Sequence, residues 1–209
     1  MQLQNMDAPI ISVITVCYNV ASTIEKTMLS VLNQTYKNLE YIIIDGNSTD
    51  GTVDIIKKYA ERLTFWISEP DKGIYDAMNK GIVKATGKFL IFMNAGDQFL
   101  NEKVLSKCLP YFLQEIDVIS GIGYLSGQKW IPAKATDLSV AFFLKRSLNH
   151  QATFINRKLF QDNLYRTDLK IVGDSVFFFQ ALIMDNASYV DIPIEIALCE
   201  KPGLSGQEK

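Results

Sequence analysis

The chain has 209 residues, with 21 Lys and Arg against 23 Asp and Glu and a single His, for a net charge of −2. Its 48% hydrophobic and 21% charged residues lie in the globular range and exclude intrinsic disorder. The isoelectric point near 5.5 argues against a nucleic-acid binder, which needs a basic surplus, and the longest apolar run, Phe89–Met93, falls far short of the ~20 residues of a membrane span.

After a short polar lead, Ile10 to Cys17 is β-branched and almost wholly apolar, the pattern of a strand buried on both faces. Ser22 followed by Glu25 reads as a capping box, and Ile24, Met28, Val31 and Leu32 form the stripe of an amphipathic helix. A second strand spans Leu39 to Ile44. The polar run Asp45 to Gly51 breaks it, with Asp50-Gly51 read as a turn and helix start. The next helix begins near Thr52 with Val53, Ile56 and Ala60 inward. Thr64 to Ser68 is a short third strand. A helix then carries Ile74, Ala77, Met78, Gly81, Ile82 and Ala85 on one face and stops at Gly87. Phe89 to Met93 is a fourth strand, ending in Asn94-Ala95-Gly96-Asp97. Alternating strands and helices predict a parallel sheet with right-handed crossovers.

The second half is less regular. A helix through Val104, Leu105, Cys108 and Leu109 is disturbed by Pro110. Asp117 to Leu125 and Lys129 to Ile131 read as a hairpin, and Val140 to Leu144 as a short helix. Ala152 to Ile155 is a strand, and Asp174 to Met184 a helix with Val176, Phe177, Gln180, Ala181 and Met184 inward. Tyr189 to Ile192 is a last strand. Phe142, Phe143, Phe177, Phe178 and Phe179 read mostly as core, with room for an acceptor platform among them. With no repeat and no linker, residues 1–209 form one α/β domain, a nucleotide-type half (1–100) and a mixed half (101–209). Cys17, Cys108 and Cys199 are too scattered for a disulfide framework or a zinc site, so they read as small buried hydrophobes in a reduced compartment. Any metal would be held by oxygen.

Ligands of open parallel sheets bind beyond the carboxyl ends of the strands. Three strands here end in polar residues: Tyr18-Asn19, Asp45 and Asn94 to Asp97. Carboxylates gathered there repel one another unless a cation or donors lie between them. Asp45 could accept from a nucleobase or ribose, or form a turn; Asp97 could hold a hard divalent ion shared with phosphate oxygens. No P-loop and no Gly-x-Gly-x-x-Gly follows the first strand, which counts against nucleotide hydrolases, dinucleotide oxidoreductases and nucleotidyltransferases.

Four segments together resemble the family 2 glycosyltransferases of the GT-A fold. They are Pro9 to Asn19, Ser30 to Tyr36, Ile43 to Thr52, and Glu69 to Gly81 with its following Asn94-Ala95-Gly96-Asp97 turn. The likeness returns at His150-Gln151 and at Lys170 to Asp174. It implies inverting transfer of a sugar from a nucleotide diphosphate-sugar to an acceptor hydroxyl, in surface polysaccharide or glycan precursor synthesis, with a glycan or lipid-linked glycan as acceptor. It implies donor contacts from Thr15, Cys17, Tyr18, Asn19 and Asp45, and Asp97 as ligand of Mn²⁺ or Mg²⁺. Asn94 and Gly96 stand where the family's Asp-x-Asp turn is usually acidic, and the histidine that relatives often supply near the C-terminus has no counterpart. Asp71, Asp76 and Asn79 meet the donor or serve their loop and helix. His150 and Gln151 line the acceptor side, or His150 is structural. Asp174 is the catalytic base, or caps its helix. The chain ends soon after Pro202-Gly203-Leu204-Ser205, where relatives tend to continue, so a shortened C-terminus is expected. With no signal peptide, the expected site of action is the cytoplasm, with at most peripheral membrane contact. The competing expectation is a nucleotide-sugar-binding module without catalysis.

Overall fold

The computed structural model describes residues 8–199; the expectation about Pro202 to Ser205 lies outside them. Its centre is a nine-stranded sheet in the order β3-β2-β1-β4-β8-β6-β9-β5, with β7 paired to β6. β1 (Ile11–Cys17), β2 (Leu39–Asp45), β3 (Phe65–Ser68) and β4 (Phe89–Phe92) are parallel, as the alternating pattern predicts. Beyond β4 the sheet turns mixed. β8 (Thr153–Asn156) runs antiparallel to both β4 and β6 (Val118–Leu125), and β6 runs parallel to β9 (Tyr189–Cys199). β7 (Gln128–Trp130) closes the expected hairpin with β6 through Ser126 and Gly127, and Gln128 belongs to the strand rather than the turn.

The period of two along β1 sorts the layers. Ile11, Val13 and Cys17 face one core with α1 (Ile24–Leu32), α2 (Thr52–Lys58) and α4 (Val104–Phe112). Ile14 and Val16 face the other, with α3 (Ile74–Lys84) and α6 (Gly173–Phe179). α5 (Val140–Phe143) is a single turn packed on α6. All three cysteines are buried and free. At Gly81, α3 presses so close to β1 that an added Cβ would lie 2.5 Å from Ile14 Cγ2. Replacing Gly81 by Ala should therefore cost about 1–3 kcal/mol in urea unfolding, although Ala is the better helix former.

Several local expectations change. α1 is not opened by a Ser22/Glu25 capping box: its N-cap is Thr23, with no side-chain cap bond, and Glu25 accepts from Tyr59 Oη at 2.8 Å. Packing of α1 on α2 gives that carboxylate a better partner than its own backbone. α3 ends at Lys84, before Gly87. α4 runs through Pro110 to Phe112, so the proline, which forfeits its own bond to the fourth residue back, does not end the helix. α6 gives way to a π-helical turn at Gln180–Met184. The extra residue per turn rotates the helix, so Ala181 and Leu182 point inward while Gln180 and Met184 face solvent. Val176, expected inside, is also exposed, while Phe177 and Phe178 fill the core as expected. β5 (Asp97–Phe99) lies where only a turn was expected, and β9 continues past Ile192 through Pro193 to Cys199. β9 borrows its partners from two distant segments, pairing parallel with β6 and antiparallel with β5, which no local pattern announces.

Candidate active site

The ends of β1, β2 and β4 meet at one rim. Gly46 N–H donates to the Cys17 carbonyl at 2.8 Å, and Ala95 N–H to that of Val16 at 3.3 Å. The loops above β1 and β2 are knitted together. Asn19, with φ at +50°, accepts from Thr49 N–H at 2.9 Å, and its own N–H donates to Ser48 Oγ at 2.8 Å. Asp50 accepts from Ala21 N–H, Thr52 N–H and Thr52 Oγ1, which makes it the expected turn and helix start.

Asp45 lies at the rim but faces inward. It is fully buried and accepts from Ser48 N–H (2.9 Å), Ser48 Oγ (2.5 Å), Ser68 Oγ (2.7 Å) and Cys17 Sγ (3.4 Å). Burial and the neighbouring Asp45 charge push the Cys17 thiol well above its ordinary range, so it stays protonated. Thr15 is likewise buried, donating to the Met93 carbonyl at 2.7 Å and sharing a bond with Tyr41 Oη at 2.9 Å. Thr15, Cys17 and Asp45 are thus buried beneath the rim, while Tyr18, 62% exposed, and Asn19 lie on its surface. Asp71 reaches the same place: a Cβ at Gly46 would sit 2.6 Å from Asp71 Oδ2 and 3.4 Å from the Tyr18 ring. Asp71 also accepts from Gly73 N–H at 2.8 Å, and Asp76 accepts from Lys72 N–H at 3.0 Å, so the two carboxylates shape the loop before α3. Asn79 is occupied on both amide atoms by the Tyr165 backbone, at 2.8 and 3.0 Å, and so buttresses the 165 loop.

The second group joins four elements. His150 Nδ1 lies 3.1 Å from Asp174 Oδ2, and Tyr75 Oη lies 3.0 Å from Asp174 Oδ1 and 2.8 Å from the Ile171 carbonyl. The His150 and Asp174 side chains are 17% and 15% exposed, close to sealed but open at one edge. Gly173 permits the arrangement, because a Cβ there would stand 2.8 Å from the Tyr75 ring. Burial opposes the charged imidazolium, yet the hydrogen bond and charge of Asp174, with Asp97 beyond, hold the His150 pKa above its ordinary value. Burial likewise opposes ionised Asp174, and the bonds from His150, Tyr75 and the Ser175 backbone outweigh it, so its pKa lies below the usual carboxylate range. Both shifts favour the ionic form of the pair.

Asn94, at the end of β4, points its Nδ2 at His150 Nε2 (3.3 Å), while its Oδ1 is buried with no partner. Turning the carboxamide over lets Oδ1 accept from a protonated Nε2–H, the arrangement that the ion pair requires. Tyr75 escaped the sequence reading because a tyrosine in a helix's first turn reads as core packing. Its phenol reaches a residue 99 positions away.

Asp97 is placed differently from the expectation of a metal-binding turn. It begins β5 and is 8% exposed; burial raises its pKa despite hydrogen bonds involving Cys199 and Gln151. Among the described residues no group of three or more His, Cys, Asp or Glu side chains could hold an ion. One buried carboxylate supplies too few protein ligands to hold a resident divalent ion. His150, Gln151, Asp97 and Asp174 do cluster, on the side of the rim opposite β3.

This site sits on a known scaffold. The profile of glycosyl transferase family 2 matches residues 12–187. An uncharacterised glycosyltransferase of Mycobacterium tuberculosis, Rv1514c, is 31% identical over 208 residues, covering 92% of this chain and 75% of that one. A PGL/p-HBAD biosynthesis glycosyltransferase of the same organism, Rv2957, is 34% identical, covering 74% and 62%. The crystal structure of Staphylococcus aureus TarS 1–349 with UDP-GlcNAc superposes with a TM-score of 0.78 at 19% identity, over 96% of this chain and 61% of that one. The mannosyltransferase PcManGT of Pyrobaculum calidifontis, with GDP-Man and Mn²⁺, gives 0.73 at 21% identity, over 95% and 59%. The fold is thus that of the GT-A glycosyltransferases. The chain belongs to glycosyl transferase family 2 and is a glycosyltransferase.

Proposed function

We propose that the protein transfers a sugar, with inversion, from a nucleoside diphosphate-sugar to a hydroxyl of a glycan or lipid-linked glycan in surface polysaccharide synthesis. The observation that carries this reading is Asp174, ionised and held by Tyr75 and His150 beside the rim where β1, β2 and β4 end. The nucleoside would lie along Tyr18, Asn19 and Asp71, over the floor set by Thr15, Cys17 and Asp45. Asp76 and Asn79 would serve the donor indirectly, by holding the loops on either side of α3. On the acceptor side, beside His150 and Gln151, Asp174 would take the hydroxyl proton as the new bond forms opposite the departing diphosphate.

A divalent ion, bound by PcManGT together with its donor, would here have to arrive with the diphosphate and find in Asp97 one protein carboxylate. Mg²⁺ and Mn²⁺ commonly share their oxygen ligands with phosphates in this way. No step above depends on it. Among the described residues no helix is long and apolar enough to cross a membrane.

Melting the protein with UDP, GDP, CDP or dTDP, each with and without Mn²⁺, tests the donor class. At a hundred times its dissociation constant, a specific nucleotide should add about 2.7 kcal/mol, a rise of roughly 5–10 °C for a chain of this length. Release of sugar from the matching nucleotide-sugar then separates an enzyme from a binding module. No shift with any nucleotide would end the donor reading, and a shift without sugar release would favour the inactive module, for which the weakly acidic 94–97 turn speaks.

A further inference from the structure

Half of the large apolar side chains exposed among the described residues fall on one stretch from the last residue of β7 onward and around the first turn of α6. They are Trp130, Ile131, Val140, Leu144, Val172 and Val176, with Ile131 69% and Leu144 82% exposed. Val140 and Leu144 are four residues apart, as are Val172 and Val176, so each pair shares a helical side. The opposite side of the stretch is anchored: Leu138, Phe142 and Phe143 pack against the core that contains Tyr75 and Phe177, and the Phe143 ring lies 6.1 Å from that of Phe179. The outward residues are therefore held out by the fold.

Charge singles out what this face suits. In a chain with a net charge of −2, residues 130–149 carry Lys134, Lys145 and Arg146 against Asp137 alone, and Lys170 precedes Val172. These four cations are exposed and form no ion pair among the described residues. Apolar side chains edged by cations that no carboxylate neutralises, Arg146 lying over the Phe142 ring at 5.6 Å, match the boundary between acyl chains and anionic headgroups.

We propose that the face built by residues 130–146 and the start of α6 docks on an anionic lipid surface. Asp174, between Val172 and Val176 in the chain, turns to the other side of α6, where Tyr75 and His150 hold it, so docking would leave the carboxylate's bonds undisturbed. The inference rests on the face itself and holds whichever donor or acceptor the enzyme takes.

Co-sedimentation of the full chain with phosphatidylcholine vesicles, with and without phosphatidylglycerol, tests it without any activity assay. Binding should be at least about tenfold stronger with phosphatidylglycerol and should weaken as salt is raised. Leu144→Glu, and separately Lys145→Glu with Arg146→Glu, should each reduce it by about tenfold or more. Both changes lie on exposed positions, and unchanged melting temperatures would show the fold intact. Absence of binding to either vesicle would overturn the proposal. So would binding that both variants retain, or a dimer in gel filtration that Leu144→Glu dissolves while vesicle binding is absent.

Discussion

Changing Asp174 to Asn is expected to lower the rate of sugar transfer by about 10²–10⁴-fold, the usual contribution of a positioned base, while donor affinity stays near that of the unaltered protein. An amide has nearly the shape of the carboxylate, so the packing of Tyr75 over Gly173 survives, but it cannot take a proton. The Asp174 carboxylate is ionised near neutral pH, because its pKa lies below the usual carboxylate range. Initial rates at saturating donor, set against donor affinity from titration, separate the two effects. More than about a tenth of the rate remaining would remove Asp174 from the base role, given that scale.

The second large effect concerns stability. His150→Ala should cost about 3–5 kcal/mol, because it leaves a buried carboxylate without its cation. The loss should depend on pH in a defined direction. The His150 pKa is raised on folding, so its contribution is complete below the ordinary value of 6.5 and fades as pH climbs through the higher folded value. The Asp174 pKa is lowered, so its contribution is complete above the ordinary 3.8 and fades as pH drops through the lower folded value. The pair therefore stabilises most between 3.8 and 6.5. Urea unfolding of both proteins should show a larger difference at pH 5 than well above neutral. A difference that does not change with pH would show that the pair is not ionic in the folded state.

Between Asp45 and Asp174 lies the limit of motif reading. Both were singled out as acids at strand or helix ends. Asp174 stays partly exposed, with Tyr75 on one oxygen and His150 on the other, whereas Asp45 is fully buried among Ser48, Ser68 and Cys17. Residue type and spacing are identical signals in the two cases. What separates them is whether neighbouring side chains have already used the carboxylate's lone pairs.

The parallel half was legible for a local reason. Strands buried on both faces are continuous apolar runs, and the helices between them must show a stripe of period 3.6 to cover the sheet, so β1, β2 and β4 and α1 to α3 each carry their signature within a few residues. The motifs that mark family 2 occupy the loops of this half and could be read the same way. β5, the full length of β9 and the π-helical turn after α6 were decided by tertiary structure alone, because their partners are remote: Asp97 pairs with Cys199, and Val118 with Tyr189. The burial of Asp97 follows from that same pairing. The joining of Tyr75, His150 and Asp174 has the same origin, since chain separations of 24 and 99 residues close only when α3, α6 and the 150 turn pack on one sheet edge.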